Sequence, residues 1–462
     1  MYIYMSSPNI VNVEKFEVLP SNQPSNNTYS FRQGNPIITL TIPSQAKYLR
    51  PSSVRLNGTL RLQSSAGLVP NCQGIKTAGA ANVIQLNPRV GVHSIVQNVV
   101  LSSEATNQSL ESIRQYGRLV TSILSSTHSS DDYMCEKSVV AVANGVQPAN
   151  NNLSGNEVSF SIPLYCGLLQ GGNPIPLGIN GVNGLSINLE LASDQQVLSG
   201  ANANDNAGAF YQVKNVSLSG DLLVPDDQGI QALSVPGSGA FQYNSYSSLY
   251  SVINSSDATQ TYNLSNSNVL SIIHNFLPVT HSNSYSQDGF ENPELSNTDA
   301  AGTSYNAPVT LKKVSFSRGG VKLGLDYELD VELDSSEKRP ETQLNIQYLN
   351  AFKSIKMNTR MLNQNRLLSY GGNDVQVYSP SSESGTAPAQ PKFIGSSVDA
   401  KRNFGIGLAL DRVSDVGVNF KGQSYSTRIQ STLDGKSPQS VFTFVKAKNV
   451  LQYSPNGIMV MN

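Results

Sequence analysis

The residues of this chain best suited to chemistry are four histidines, three cysteines and a few acidic pairs. A metal centre needs His, Cys or carboxylate ligands repeated at short spacing. His93, His128, His274 and His281 show no such spacing, and no cysteine accompanies them. His93 lies among Val92, Ile95 and Val96, the setting of a structural histidine, while His274 and His281 read as parts of a polar loop region. Cys72, Cys135 and Cys166 form no CxxC pair; an odd, sparse set reads as buried reduced thiols, not a disulfide framework. Gly435-Lys436-Ser437 resembles the end of a phosphate loop, but Gln430 stands where its first glycine belongs. Gly405 and Gly407 fall inside an alternating pattern, and no helix opens on a third glycine. Gly178, Gly181 and Gly184 read as a turn-rich connection, and Asp131-Asp132 and Asp226-Asp227 as solvated turns. No GxSxG elbow occurs. Spacing therefore assigns no catalytic, cofactor-binding or metal-ligating residue. The expectation is a protein that is not an enzyme and carries no cofactor.

The elements around these residues are mostly strands. Charged residues make up only 14% of the chain, and Ser, Asn, Gln and Thr supply the polarity, as suits strand faces and turns. Val54, Leu56, Leu60 and Leu62 share one face, with Arg55, Asn57, Thr59 and Arg61 on the other. The same period of two runs through Val158–Ile162, Leu185–Leu191, Val216–Leu218 and Phe404–Leu410. Val321 to Leu333 alternates at seven apolar positions, and Arg318-Gly319-Gly320 before it predicts a hairpin turn. Regular strands are expected from about Ile37. Leu110, Ile113, Gly117, Val120 and Leu124 predict a helix of about four turns, with Ser109 as its cap and Glu111 in its first turn. A second helix is expected from Pro340, with the stripe Leu344, Tyr348, Phe352 and Ile355.

At 462 residues the chain exceeds one ordinary core. The Gly- and Pro-containing stretch 226–245 reads as a junction, dividing an extended N-terminal arm (1–30) and a first domain (31–225) from a second domain (246–462). Each half places one helix among its strands. The expected fold class is all-β: two tandem antiparallel β-sandwiches of jelly-roll type, a double jelly roll, each with one inserted short helix. The net charge is −1 and no Lys/Arg block occurs, which disfavours direct nucleic-acid binding. The opening MYIYM is too short for a signal peptide and lacks a basic region, and no run of about 20 apolar residues could span a bilayer. Synthesis inside a cell without secretion is expected.

The segments SVRLNGTLRL (53–62), RVGVHSIVQNVVLSS (89–103) and LESIRQYGRLVTSIL (110–124) resemble the first roll of double-jelly-roll major capsid proteins. The likeness is to those of virophages and polinton-like viruses, relatives of adenovirus hexons and of the capsid proteins of tailless membrane-containing phages. FSIPLYCGLLQ (160–170), PIPLGINGVNGLSINLEL (174–191), HNFLPVTHSNSY (274–285) and FVKAKNVLQYSPNGIMV (444–460) continue it. The resemblance implies a homotrimer of pseudo-hexagonal outline that tiles an icosahedral shell around double-stranded DNA. It implies neighbouring capsomers, penton and minor capsid proteins as partners, and an inner membrane where the virus has one. The arm, with Tyr2, Ile3, Tyr4 and Met5 as its apolar residues, would then reach another subunit, a minor protein or that membrane. The competing readings are a carbohydrate-binding or adhesive surface sandwich, a glycan-active enzyme, and a penton or minor shell component. Zero Trp and the missing export signal count against the first, and two-roll length against the last.

Overall fold

The computed structural model describes residues 9–63, 69–71, 83–86, 90–104, 106–127, 157–178, 182–200, 209–234, 239–279, 311–324, 327–328, 350–352, 406–411, 416–431, 438–454 and 457–461. Through the first half the strands are β1 (Ile10–Val18), β2 (Thr28–Tyr29), β3 (Ile37–Ile42), β4 (Tyr48–Leu49), β5 (Arg55–Gln63), β6 (Val69–Asn71), β7 (Val83–Leu86), β8 (Val96–Ser103), β9 (Ser109–Arg114), β10 (Glu157–Pro163), β11 (Ile175–Pro176), β12 (Leu185–Leu191), β13 (Leu198–Gly200) and β14 (Phe210–Pro225). The second half has β15 (Gly239–Ile253), β16 (Asp257–Leu264), β17 (Val269–Pro278), β18 (Leu311–Arg318), β19 (Val321–Lys322), β20 (Tyr327–Glu328), β21 (Ile406–Ala409), β22 (Gln423–Ser431), β23 (Gln439–Ser454) and β24 (Gly457–Met461). Helices α1 (Tyr116–Thr127), α2 (Asp194–Val197) and α3 (Asp227–Ser234) interrupt them.

The expected class is the observed one: two antiparallel sandwiches in tandem. In the first, the sheet β10-β5-β14-β4-β11 faces the series β3-β12-β8-β9. Period two explains the facing. Leu185, Ile187, Leu189 and Leu191 of β12 are buried, as are Leu56, Leu60 and Leu62 of β5, and the residues between them are not fully buried. In the second, the series β15-β23-β17-β21 faces the sheet β16-β22-β18-β19. The two inner series are not separate sheets. They join edge to edge as β21-β17-β23-β15-β9-β8-β12-β3, so one nine-stranded sheet, counting β24 on β23, runs through both halves.

That continuity explains the apolar run at Val441–Val445, which does not alternate. Val441 and Val445 belong to the second core, while Phe442 and Phe444 belong to the first. Strand β17 divides likewise: Ile272 and Phe276 face the second core, and Ile273 and Leu277 the first. Strands covered on both faces read as continuous hydrophobic runs.

Four expectations need correction. The helix expected from Ser109 starts at Tyr116 instead. Residues 109–114 form β9, because they pair with β8 from Asn98↔Arg114 to Ser102↔Ser109, and Gln115 then turns the chain at φ 58°. Regular strands begin at Ile10, not near Ile37: β1 pairs with the far half of β14, Phe16 facing Gly220 in the ladder. The long strand expected from Val321 stops at Lys322, where Gly324 takes φ 86° and Val321 is 71% exposed. Tyr327 resumes pairing with Val314, and Leu325 lies outside the described residues. His274 stands buried within β17, not in a loop. The Arg318–Val321 hairpin is as expected: Gly319 and Gly320 take φ 53° and 82°, the two positive values a tight type I′ turn requires. Of the second expected helix, residues 350–352 are helical and the rest falls outside the described residues.

Phe316 is fully buried on β18, against His274 of the opposite sheet. Phe316→Ala should cost about 3–5 kcal/mol by deleting buried ring volume, read as a lower urea midpoint with an unchanged slope.

Candidate functional site: the seam between the two sandwiches

Among the described residues no group of three or more His, Cys, Asp or Glu is placed to hold a metal ion. His93 lies buried in the 3-10 turn Gly91–Ile95, its Nδ1 3.3 Å from the Tyr116 hydroxyl. His274 is held by hydroxyls: Nδ1 is 2.8 Å from Thr443 Oγ1 and Nε2 is 2.9 Å from Tyr425 Oη. Its ring stacks between Phe316 and Tyr425 at 6.5 and 5.8 Å. Burial lowers its pKa from 6.5 to about 3, so it is neutral in the core. Cys166 is a buried thiol whose pKa burial pushes up. Asp226 is not simply a solvated turn residue. Its Oδ1 accepts the Gly229 N–H at 2.9 Å and so caps α3. His128, His281, Cys72, Cys135, Asp131-Asp132, Gly405, Gly435-Lys436-Ser437 and the arm residues Tyr2, Ile3, Tyr4 and Met5 lie outside the described residues.

The concentrated chemistry is structural, and it lies where the halves join. Strands β9 and β15 meet in parallel through one registered pair, Ser112↔Ser247. Side chains complete the junction. Glu111 Oε1 accepts the N–H groups of Tyr246 on β15 at 2.7 Å and of Gly167 at 2.8 Å, and Oε2 accepts that of Leu168 at 2.9 Å. The Arg114 N–H donates to Ser248 Oγ, and the Tyr243 hydroxyl donates to the Leu110 carbonyl. Gly167 is required here: a Cβ would lie 2.7 Å from the Asn244 carbonyl oxygen on β15. Burial raises the Glu111 pKa from 4.5 to about 7, opposed by the three N–H donors and the Lys446 charge.

Helix α1 fastens the same junction from the side. Tyr116, Leu119, Val120 and Ile123 enter the first core. Buried Arg118 lies over the Phe442 ring at 5.3 Å, and Asn275 of β17 donates to Ser122 Oγ at 2.6 Å. Beside the seam lies an open cleft of about 880 Å³. Phe31, Asn98, Arg114, Glu190, Tyr250 and Val279 are among its lining residues, drawn from both halves.

Sequence reasoning missed Glu111 as a buried strut because a helical phase placed it on a first turn. The available signal was an acid flanked by apolar Leu110 and Ile113 beside a segment that also fits a strand.

No protein-family model and no curated protein matches the sequence. Solved structures do match in fold. The Faustovirus major capsid protein aligns over 98% of this chain and 92% of its own, at TM-score 0.60 and 10% identity. The PBCV-1 virus capsid aligns over 100% and 99%, at 0.57 and 14%. The Sputnik virophage structure aligns over 100% and 90%, at 0.51 and 11%. The chain thus has the double-jelly-roll fold.

Two pH effects follow with opposite signs. The folded pKa of Glu111 is raised, so its contribution is complete below about 4.5 and is lost as pH rises through about 7. Glu111→Gln should remove that dependence, and it should cost about 1–3 kcal/mol because an NH2 cannot accept a buried N–H. Melting temperatures of both proteins from pH 5 to 8 check this. The folded pKa of His274 is depressed, so its contribution is complete above about 6.5 and is lost as pH falls toward about 3. In His274→Gln the loss of melting temperature between pH 6 and pH 4 should be smaller than in the wild type.

Proposed function

We propose that this chain is a major capsid protein, three copies of which form a capsomer of pseudo-hexagonal outline in the icosahedral shell of a double-stranded DNA virus. The observation that carries the reading is the tandem pair of sandwiches joined through one sheet, in a chain whose fold aligns over nearly its whole length with the Faustovirus major capsid protein and the PBCV-1 capsid. Six rolls in a trimer approximate six-fold packing while each chain contributes only two. The role is mechanical, so the chain acts as a building block and not as a catalyst. The first roll would comprise 31–225, with β1 and β2 of the arm added to its sheet, and the second 246–462, with β15 reaching back into the 226–245 junction. The virion capsid is its place of action. Penton and minor capsid proteins would be its neighbours at vertices and seams of the shell, and an inner membrane would lie below it where one exists. The arm residues Tyr2, Ile3, Tyr4 and Met5 would add apolar contact to one of these partners.

Light scattering and negative-stain microscopy of the purified full chain test the proposal. A particle of three times the 49.6 kDa chain mass with a hexagonal outline is expected. A monomer at all concentrations, or a monomer that binds glycans, would overturn it.

A further inference from the structure

Strand β1 presents two different faces. Ile10 and Phe16 pack inward, and Glu14 is paired with Lys47 at 2.6 Å. The other face carries Val11, Val13, Lys15 and Glu17, all exposed, followed by Leu19, which is 62% exposed. Lys15 and Glu17 make no ion pair among the described residues. Read outward along the chain, the face is apolar, basic, acidic, apolar.

The outer face of the long sheet carries the complementary order. Ile37 of β3 is level with Glu190 of β12, Glu190 with Asn98 of β8, and Asn98 with Arg114 of β9. The row ends at Arg114, because two residues on from the Ser112↔Ser247 pair the neighbouring β15 presents Leu249, which packs on the second core. Ile37 is 52% exposed, and Phe31, also exposed, stands at the cleft with Glu190. This row therefore reads apolar, acidic, amide, basic. Neither Glu190 nor Arg114 makes an ion pair among the described residues. The lengths agree as well. Ile37 to Arg114 crosses three strand spacings, about 14 Å. Val13 to Glu17 in extended chain covers about 13 Å.

We propose that this row is the docking site for β1 of a second copy of the chain, with Val13 on Ile37 and Phe31, Lys15 on Glu190, and Glu17 on Arg114. The contact is heterologous, one surface on each copy, and such contacts close into rings when the rotation fits. The exposed apolar end and the opposed charges explain why each surface is left uncovered in the single chain. The inference rests on the self-association proposed above and names the surfaces that make it.

Sedimentation velocity of the full chain with Lys15→Glu, with Glu190→Lys, and with both tests it. All these positions are exposed, and circular dichroism melts verify the fold. Each single reversal should weaken association at least tenfold, and the double reversal should restore most of it. Glu17→Arg with Arg114→Glu forms an independent second pair with the same expected pattern. Single reversals that associate like the wild type, or a double no better than either single, would overturn this docking while leaving the capsid reading intact. A wild-type chain that stays monomeric would overturn both.

Discussion

Backbone N–H groups that leave water must find an acceptor, and where β9 meets β15 only one registered strand pair supplies them. The Glu111 carboxylate takes the place of the missing ladder. It gathers donors from β15 and from the Gly167–Leu168 turn into one buried point. A buried carboxylate costs several kcal/mol when alone and becomes tolerable only with such donors around it. The arrangement is therefore cooperative: remove the acid and three donors lose their partner; shift β15 and the acid loses its compensation. Gly167 fits the same condition, since its missing Cβ lets the turn approach β15 closely enough.

From that junction the remaining architecture follows. With the inner sheets fused, β17 and β23 have a core on either side, so Phe442 and Phe444 serve the first half while Val441 and Val445 serve the second. Helix α1 occupies the angle between the halves and contributes Arg118 and Ser122 to the second. The two sandwiches in this sense share one sheet and have two cores.

Much of this was legible in the sequence because period two is a local property. The alternation in β5 and β12 predicted both the strands and their buried faces, and Gly319-Gly320 predicted the turn between β18 and β19. What was not legible depends on distant partners. Leu110 and Ile113 fit a helix as well as a strand until β8 claims them. His274 follows an apolar stretch and precedes a polar one, and only Tyr425 and Thr443, far along the chain, make its burial acceptable. Strand β1 looked like a tail because its partner is the end of β14. The seam and the cleft beside it escaped detection for the same reason: they are assembled from both halves.

The pairing of β15 with β23 has a kinetic consequence. The strands of the first sandwich can pair once Pro225 has been made, although its core still awaits Phe442 and Phe444. Strand β15 emerges next, but its ladder partner runs from Gln439 to Tyr453, nearly the last residues of the chain. Until they arrive, one long edge of β15 waits open, and the loop that must close is about as long as the one that joins β1 to β14. Loop closure costs rise only slowly with length, yet the delay leaves an exposed strand edge, the feature most prone to pairing with the wrong chain. The second sandwich is thus the later step in maturation, and a ribosome-bound intermediate with the first strands paired and β15 still open is the species that a folding helper would meet.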